Sequence, residues 1–127
     1  MSDKKRILVI DDDPEILVLL KTYLETEGYE VIQSDNGAEG LEKAHSEMPD
    51  LIILDLVLPD IDGLKICRRL KSDNKYKNIP ILVLSALDDQ KHKMEGFESD
   101  ADDYETKPFE KDGLIKRVKK LLTKKEA

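Results

Sequence analysis

The sequence predicts an α/β fold in which a five-stranded parallel sheet is covered by helices on both faces. Three observations predict it. Short runs of strand character recur at 7–10, 31–32, 51–54, 81–84 and 104–106. The segments between them carry apolar residues at helical spacing. Four of the five runs deliver a polar group at their C-terminal end: Asp11 and Asp12, then Asp55, then Ser85, then Lys107. Parallel neighbours need crossover connections, and a helix in each crossover covers the sheet, so strict alternation implies a doubly wound arrangement.

The first run, Ile7, Leu8, Val9 and Ile10, ends in Asp11, Asp12 and Asp13. Pro14 suits the first turn of a helix, and Asp13 can accept from its unpaired N–H groups. Ile16, Leu17, Leu20 and Leu24 recur at helical spacing until Gly28 stops the helix. Val31 and Ile32 give a short second strand. Asn36 and Gly37 open a second helix with apolar positions Ala38, Leu41 and Ala44, ending near Met48 before Pro49. Leu51, Ile52, Ile53 and Leu54 show no polar alternation and read as a strand buried on both faces, delivering Asp55. Pro59, Asp60, Asp62 and Gly63 then turn the chain.

Leu64, Ile66, Cys67 and Leu70 mark a third helix, and Asn78 and Pro80 introduce the strand at 81–84, which ends in Ser85. Asp88 starts a fourth, very polar helix carrying Met94 and Phe97. The brief fifth strand ends in Lys107, Pro108 and Phe109. Leu114, Ile115, Val118, Leu121 and Leu122 make the last helix amphipathic.

The 127 residues fit one compact domain without a linker or repeat, and 124–127 read as a frayed tail or linker remnant. Equal shares of hydrophobic and charged residues, 39% each, fit a soluble globular chain. The net charge of −7 argues against direct nucleic-acid binding, while the basic stretch 116–125 allows an acidic partner. A single cysteine, Cys67, excludes an internal disulfide and reads as a packed thiol. The apolar run after the N-terminal MSDKKR is too short for a signal-peptide core or membrane span, so the cytoplasm is the simplest compartment and no membrane is expected. His45 and His92 lie on polar helical stretches without a paired ligand and read as surface residues.

Open α/β sheets place their ligand crevice beyond the carboxyl ends of the strands. Asp11, Asp12 and Asp55 converging there would repel by roughly 3 kcal/mol per pair at an effective dielectric near 20. Positive charge must offset that, and Lys107 supplies one unit. Oxygen ligands with no His or Cys nearby fit Mg²⁺, with Mn²⁺ as the alternative. An acid kept ionised beside a cation and a lysine can attack phosphorus, which makes Asp55 the candidate phosphorylation site. The metal and Lys107 would stabilise the oxygens of the transferring group, and Ser85 would hydrogen-bond one of them in the product.

At this point ILVIDDDP at 7–14, LDLVLPDIDG at 54–63, ILVLSA at 81–86 and DDYETKPF at 102–109 resemble the receiver domains of two-component response regulators, typified by the bacterial chemotaxis regulator. Each motif is weak alone; all four in this order and spacing, over nearly the whole chain, are specific. The resemblance implies a flavodoxin-like sheet of order 2-1-3-4-5 in an alternating (βα)5 sandwich. It implies that Asp55 takes a phosphoryl group from a phosphohistidine on a sensor histidine kinase or phosphotransfer protein. Mg²⁺ would be held by the side chains of Asp12 and Asp55, the carbonyl of Val57, and Asp11 through a water. Lys107 would pair with Asp55 and then with the phosphoryl group.

By the same resemblance, Ser85 would swing toward the phosphate and Tyr104 would move inward, reshaping the face of the fourth helix, fifth strand and last helix toward an unidentified output partner. The Lys107–Pro108 bond would be cis, and kinase choice would lie on the first helix. Arg117, Lys119 and Asp102 sit where the winged-helix transcription-factor branch makes inter-subunit ion pairs, which implies a phosphorylation-dependent homodimer.

Several positions depart from the family pattern. Asp100 stands where a glycine is frequent, Ser85 where threonine is, and Glu105 replaces an apolar residue, placing a charge on the output face. Val57 and Leu87 occupy positions tied to dephosphorylation rate, and two apolar side chains there predict a long-lived phosphoryl group.

Blander readings exist for each feature: Asp11 to Asp13 as a capping cluster, Ser85 as a strand-end hydroxyl, Tyr104 as a half-buried strand aromatic. The rival from another class is a phosphohydrolase of the haloacid dehalogenase type, with Asp11 and Asp13 as its D-x-D. Pro14 and Glu15 interrupt that motif, and no acid pair follows Lys107. A nucleotide-binding domain is rejected for want of a glycine-rich phosphate loop. The chain therefore reads as a phosphorylation switch that assists its own phosphoryl transfer and dephosphorylation rather than as an enzyme.

Overall fold

A computed structural model describes residues 4–86 and 101–126, without the side chains of Ser85 and of 124–126. Helix expectations for 88–99, and the positions Leu87, His92, Met94, Phe97 and Asp100, lie outside the described residues. Five parallel strands run β1 (Arg6–Ile10), β2 (Glu30–Ser34), β3 (Leu51–Asp55), β4 (Ile81–Ala86) and β5 (Asp103–Lys107), in the spatial order β2-β1-β3-β4-β5. The order is that of the flavodoxin-like sheet, so this expectation holds.

Helix α1 (Pro14–Thr26) begins as its sequence requires: Asp13 is extended and its Oδ1 accepts from the Glu15 N–H at 2.9 Å. Gly28, at φ 91°, lets the chain reverse after it. Helix α2 (Gly37–Glu47) is capped by Asn36, whose Oδ1 accepts from the Glu39 N–H at 2.9 Å. It ends at Met48, which is left-handed at φ 46° and followed by Pro49. Helix α3 (Gly63–Lys71) is capped by Asp62. The C-terminal helix spans Lys111–Glu126.

Side chains alternate across a strand, so each central strand feeds two separate cores. Leu8, Ile10, Ile52, Leu54, Ile81 and Val83 pack with Leu41, Leu64, Ile66 and Leu70 of α2 and α3. Ile7, Val9, Leu51, Ile53, Leu82 and Leu84 pack with Leu20 and Leu24 of α1 and Leu114, Val118 and Leu121 of the C-terminal helix. Every residue of β3 is buried, which is why its sequence shows no alternation. Cys67 is buried and forms no disulfide, as expected of a packed thiol. Helix α2 lies so close on β1 that a Cβ on Gly40 would stand 2.7 Å from Ile10 Cδ1.

Candidate functional site

The register sets the site. Ile10 pairs with Leu54, Asp55 with Leu84, and Ala86 with Lys107, so the strand ends reach one edge together. Asp11 follows β1, is fully buried, and is fixed by two backbone bonds. Its N–H donates to Ser34 O at 3.1 Å, and its Oδ1 accepts from the Asp13 N–H at 2.9 Å. Asp55 is 6% exposed, and its Oδ1 accepts from the Val57 N–H at 3.2 Å. Asp12 is exposed beside them.

Lys107 joins the acids. Its Nζ lies 2.8 Å from Asp11 Oδ2 and donates to Asp55 Oδ2 at 3.3 Å. The contact to Asp11 is the tighter of the two, and the buried Asp11 Oδ2, met there by the ammonium alone, keeps lone-pair capacity. One carboxylate oxygen from each of Asp11, Asp12 and Asp55 lies within 4.8 Å of the others. This all-oxygen set, with a buried Asp11 oxygen that keeps lone-pair capacity, can hold a hard metal ion.

Burial, and after it the charge of Asp11, push the Asp55 carboxyl up to about 6, against the pull of Lys107 and the Val57 N–H. Burial works against the charge on Lys107, but Asp11 and then Asp55 outweigh it and hold the ammonium above its ordinary range. A buried, strained pair of acids with one lysine has room for more positive charge, and a divalent ion would supply it.

The loop after β3 is closed at its base, where the Gly63 N–H donates to Leu56 O at 3.0 Å. A Cβ on Gly63 would lie 2.4 Å from Asp55 O, so only glycine allows this closure. Val57, in the loop, is 57% exposed. The Lys107–Pro108 bond is cis. The backbone of Ser85 pairs with Thr106 at the end of β4, in line with the site edge.

Tyr104 is 6% exposed and packs in the α2–α3 core, so its ring already occupies an inward position. The charge introduced by Glu105 is met within the chain: its Oε2 is 2.9 Å from Arg117 Nε, and Arg117 also holds Asp103 at 2.9 Å. The residues read as inter-subunit pairs likewise have partners in their own chain. Lys119 meets Glu27 at 2.8 Å, and Asp102 meets Lys71 at 2.6 Å while accepting from the Ile81 N–H at 2.7 Å.

One contact had no signal in periodicity or composition. Asp60, read only as a turn residue, accepts from the N–H groups of Gly37 and Ala38 at 2.7 and 2.9 Å. Only the fold brings those residues together, since they are more than twenty positions apart.

The doubly wound sheet, with an acidic cluster and a lysine at its carboxyl edge, defines a receiver-type α/β protein. The chain belongs to the response regulator receiver domain family, whose family model matches residues 7–119. This family is not a classical enzyme family, and the hydrolase alternative falls with the match. The chain is 48% identical to the DNA-binding dual master transcriptional regulator RpaA of Synechocystis sp., over 92% of this chain and 48% of that protein. It is 45% identical to the alkaline phosphatase synthesis transcriptional regulatory protein PhoP of Bacillus subtilis, over 96% and 50%. The chain thus spans about half the length of these curated relatives. A crystal structure of a CheY-like response regulator receiver domain protein from Methanospirillum hungatei superposes with TM-score 0.91 at 30% identity, over 98% of both chains. Among the described residues no helix is long and apolar enough to cross a membrane.

Proposed function

We propose that this chain is one receiver domain whose Asp55 accepts a phosphoryl group from a phosphohistidine on a sensor histidine kinase or phosphotransfer protein in the cytoplasm. The observation that carries the reading is the Lys107 bridge between the buried carboxylates of Asp11 and Asp55, 2.8 and 3.3 Å from the ammonium. Asp55 forms the new O–P bond as the P–N bond to the imidazole breaks, and the imidazole leaves to take up a proton. Lys107 stays protonated and draws charge from the phosphoryl oxygens. Asp11, Asp12 and Asp55, with the Val57 carbonyl, would hold Mg²⁺ or Mn²⁺. When bound, the ion neutralises charge on the carboxylates and on the transferring group.

Ser85, at the end of β4, is the hydroxyl that contacts the phosphorylated site, and Tyr104 relays the change to β5 and the C-terminal helix. The kinase docks on α1 and its neighbouring loop, and on that helix Val18 is 67% and Leu19 36% exposed. The relatives' names point to transcription as the output of the longer proteins, with the receiver itself making no direct contact to nucleic acid. A phosphorylation-dependent homodimer through the β5 face would require Arg117, Lys119 and Asp102 to exchange their intrachain partners. Sedimentation with and without a phosphoryl mimic tests that part.

The deciding experiment is intact mass after incubation with acetyl phosphate or phosphoramidate, with and without Mg²⁺, on the native chain and Asp55→Asn. A Mg²⁺-dependent gain of one phosphoryl group, lost in the variant, is the expected result. Steady release of phosphate with no adduct, or neither adduct nor release, would overturn the reading.

A further inference from the structure

The loop between β3 and α3 carries Val57, whose N–H holds Asp55 Oδ1. Two of its contacts are local. The Gly63 N–H closes its base on Leu56 O, and the Ile61 N–H donates to Asp60 Oδ1 at 2.9 Å. The third is long-range. Both oxygens of Asp60 cross to α2, Oδ1 to the Gly37 N–H at 2.7 Å and Oδ2 to the Ala38 N–H at 2.9 Å.

Those N–H groups belong to the first turn of α2, which has no intrahelical acceptor for them. The helix already has its own cap in Asn36, which serves Glu39. Asp60 therefore adds a second, bidentate, charge-assisted attachment whose other end is the loop. The two N–H bonds from α2 hold the Asp60 carboxylate below its ordinary range although it is exposed to solvent. Gly37 makes the approach possible. A Cβ there would stand 3.0 Å from Ile61 Cβ, 3.0 Å from Ile66 Cδ1 and 3.1 Å from Asp60 Oδ1.

We infer that Asp60 is a positioning residue, a tether from α2 that fixes the loop carrying Val57 against Asp55. The inference rests on the proposed function for its role in phosphoryl transfer, but the ordering of the loop is independent of it. Asp55 and Val57 face the incoming groups from β3 and its loop. Asp60 touches none of these groups and acts through the backbone between residues 56 and 63. Without Asp60 the Ile61 bond is lost with the tether, so the loop keeps only the Gly63 closure on Leu56 O and samples positions in which the Val57 N–H and carbonyl no longer flank the carboxylate.

The test compares Asp60→Ala with Asn36→Ala. Both remove a cap from the same helix turn, but only the first cuts the loop free. Gly37→Ala is a second probe that keeps the carboxylate and displaces the loop by steric contact. Three readouts are taken at a temperature where all variants are folded: amide hydrogen exchange at Val57 without metal, Mg²⁺ affinity by amide-shift titration, and the rate of phosphoryl uptake from phosphoramidate.

Asp60→Ala is expected to speed exchange at Val57, weaken Mg²⁺ binding about tenfold, as loss of a supporting contact does elsewhere, and slow uptake in parallel. Asn36→Ala is expected to lower the melting temperature and leave all three readouts at native values, while Asp60→Asn, which keeps one acceptor oxygen, recovers part of the loss. Equal effects of Asp60→Ala and Asn36→Ala, or native exchange and affinity in Asp60→Ala, would overturn the inference. A native chain that takes up no phosphoryl group would instead overturn the proposed function, leaving exchange and Mg²⁺ affinity to decide the tether.

Discussion

Lys107 stands closer to Asp11 than to the acid it is expected to serve: its Nζ is 2.8 Å from Asp11 Oδ2 and 3.3 Å from Asp55 Oδ2. The lysine is thus anchored on the fully buried acid of β1 and leans toward the acid of β3. Phosphorylation of Asp55 can draw the ammonium across without releasing it from the site.

Removing that anchor leaves two buried acids unopposed. Lys107→Met is expected to destabilise the metal-free chain by about 2 kcal/mol at pH 7, less than a fully buried pair because the lysine side chain is 21% exposed. The loss should shrink at pH 5, where Asp55 takes up a proton, and be largely restored by millimolar Mg²⁺. Urea unfolding in chelator and in Mg²⁺ measures both effects. An equal loss at both pH values would rule out charge as its origin.

Asp55 sets a pH dependence of its own. Burial, and then Asp11, raise its carboxyl to about 6 from an ordinary value of 3.8. Between those values the folded chain holds a proton that the unfolded chain has released, so this contribution to stability falls as pH rises through the window. By pH 7 the ionised group costs the metal-free protein up to about 3 kcal/mol. Asp55→Asn is therefore expected to be about 1–3 kcal/mol more stable than the native chain in chelator at pH 7, and no more stable at pH 4. A variant less stable at pH 7 would contradict the electrostatic account.

Gly63→Ala probes the loop base. Its Cβ would meet Asp55 O at 2.4 Å and Leu56 Cα at 2.7 Å, both backbone atoms that cannot rotate away. A loss of about 3 kcal/mol is expected, at the upper end for overpacking, together with impaired phosphoryl uptake. Thermal unfolding and the mass assay report the two separately.

On the proposed function, Val57 would bear on the lifetime of the phosphoryl group. Its side chain is 57% exposed at the mouth of the site and offers no hydrogen bond to an attacking water. Val57→Asn is expected to shorten the half-life about tenfold, the equivalent of one orienting hydrogen bond. An unchanged decay of the adduct mass would show that this position does not govern water attack.

Much of this was legible in the order of residues because the relevant signals are local. The unbroken aliphatic run ending in Leu54 identifies a doubly buried strand, and the alternation of strands with helices places Asp11, Asp55 and Lys107 at one edge. Asp13 and Asn36 announce helix starts through a side chain acting two or three residues away, whereas Asp62, read as a turn residue, proves to cap α3 in the same way. The Asp60–Gly37 attachment was not legible, because a carboxylate in a turn is indistinguishable from one that crosses to another helix until the fold exists. Arg117 shows the same limit. Its family position implies a pair with another subunit, which a single chain does not test, and the pair with Glu105 at 2.9 Å in the same chain had no signal in the sequence.

Burial across the sheet is uneven. All five residues of β3 are enclosed, whereas in β5, at the margin, only Tyr104 is. Asp55 thus sits at the end of a fully enclosed strand, where the backbone has little room to yield. On the proposed function, a new double negative charge would land on a strand enclosed on both faces, and the change would be taken up through β4 at the rim strand, whose side chains are only partly covered. The enclosure of the seat would leave the rim as the part that moves.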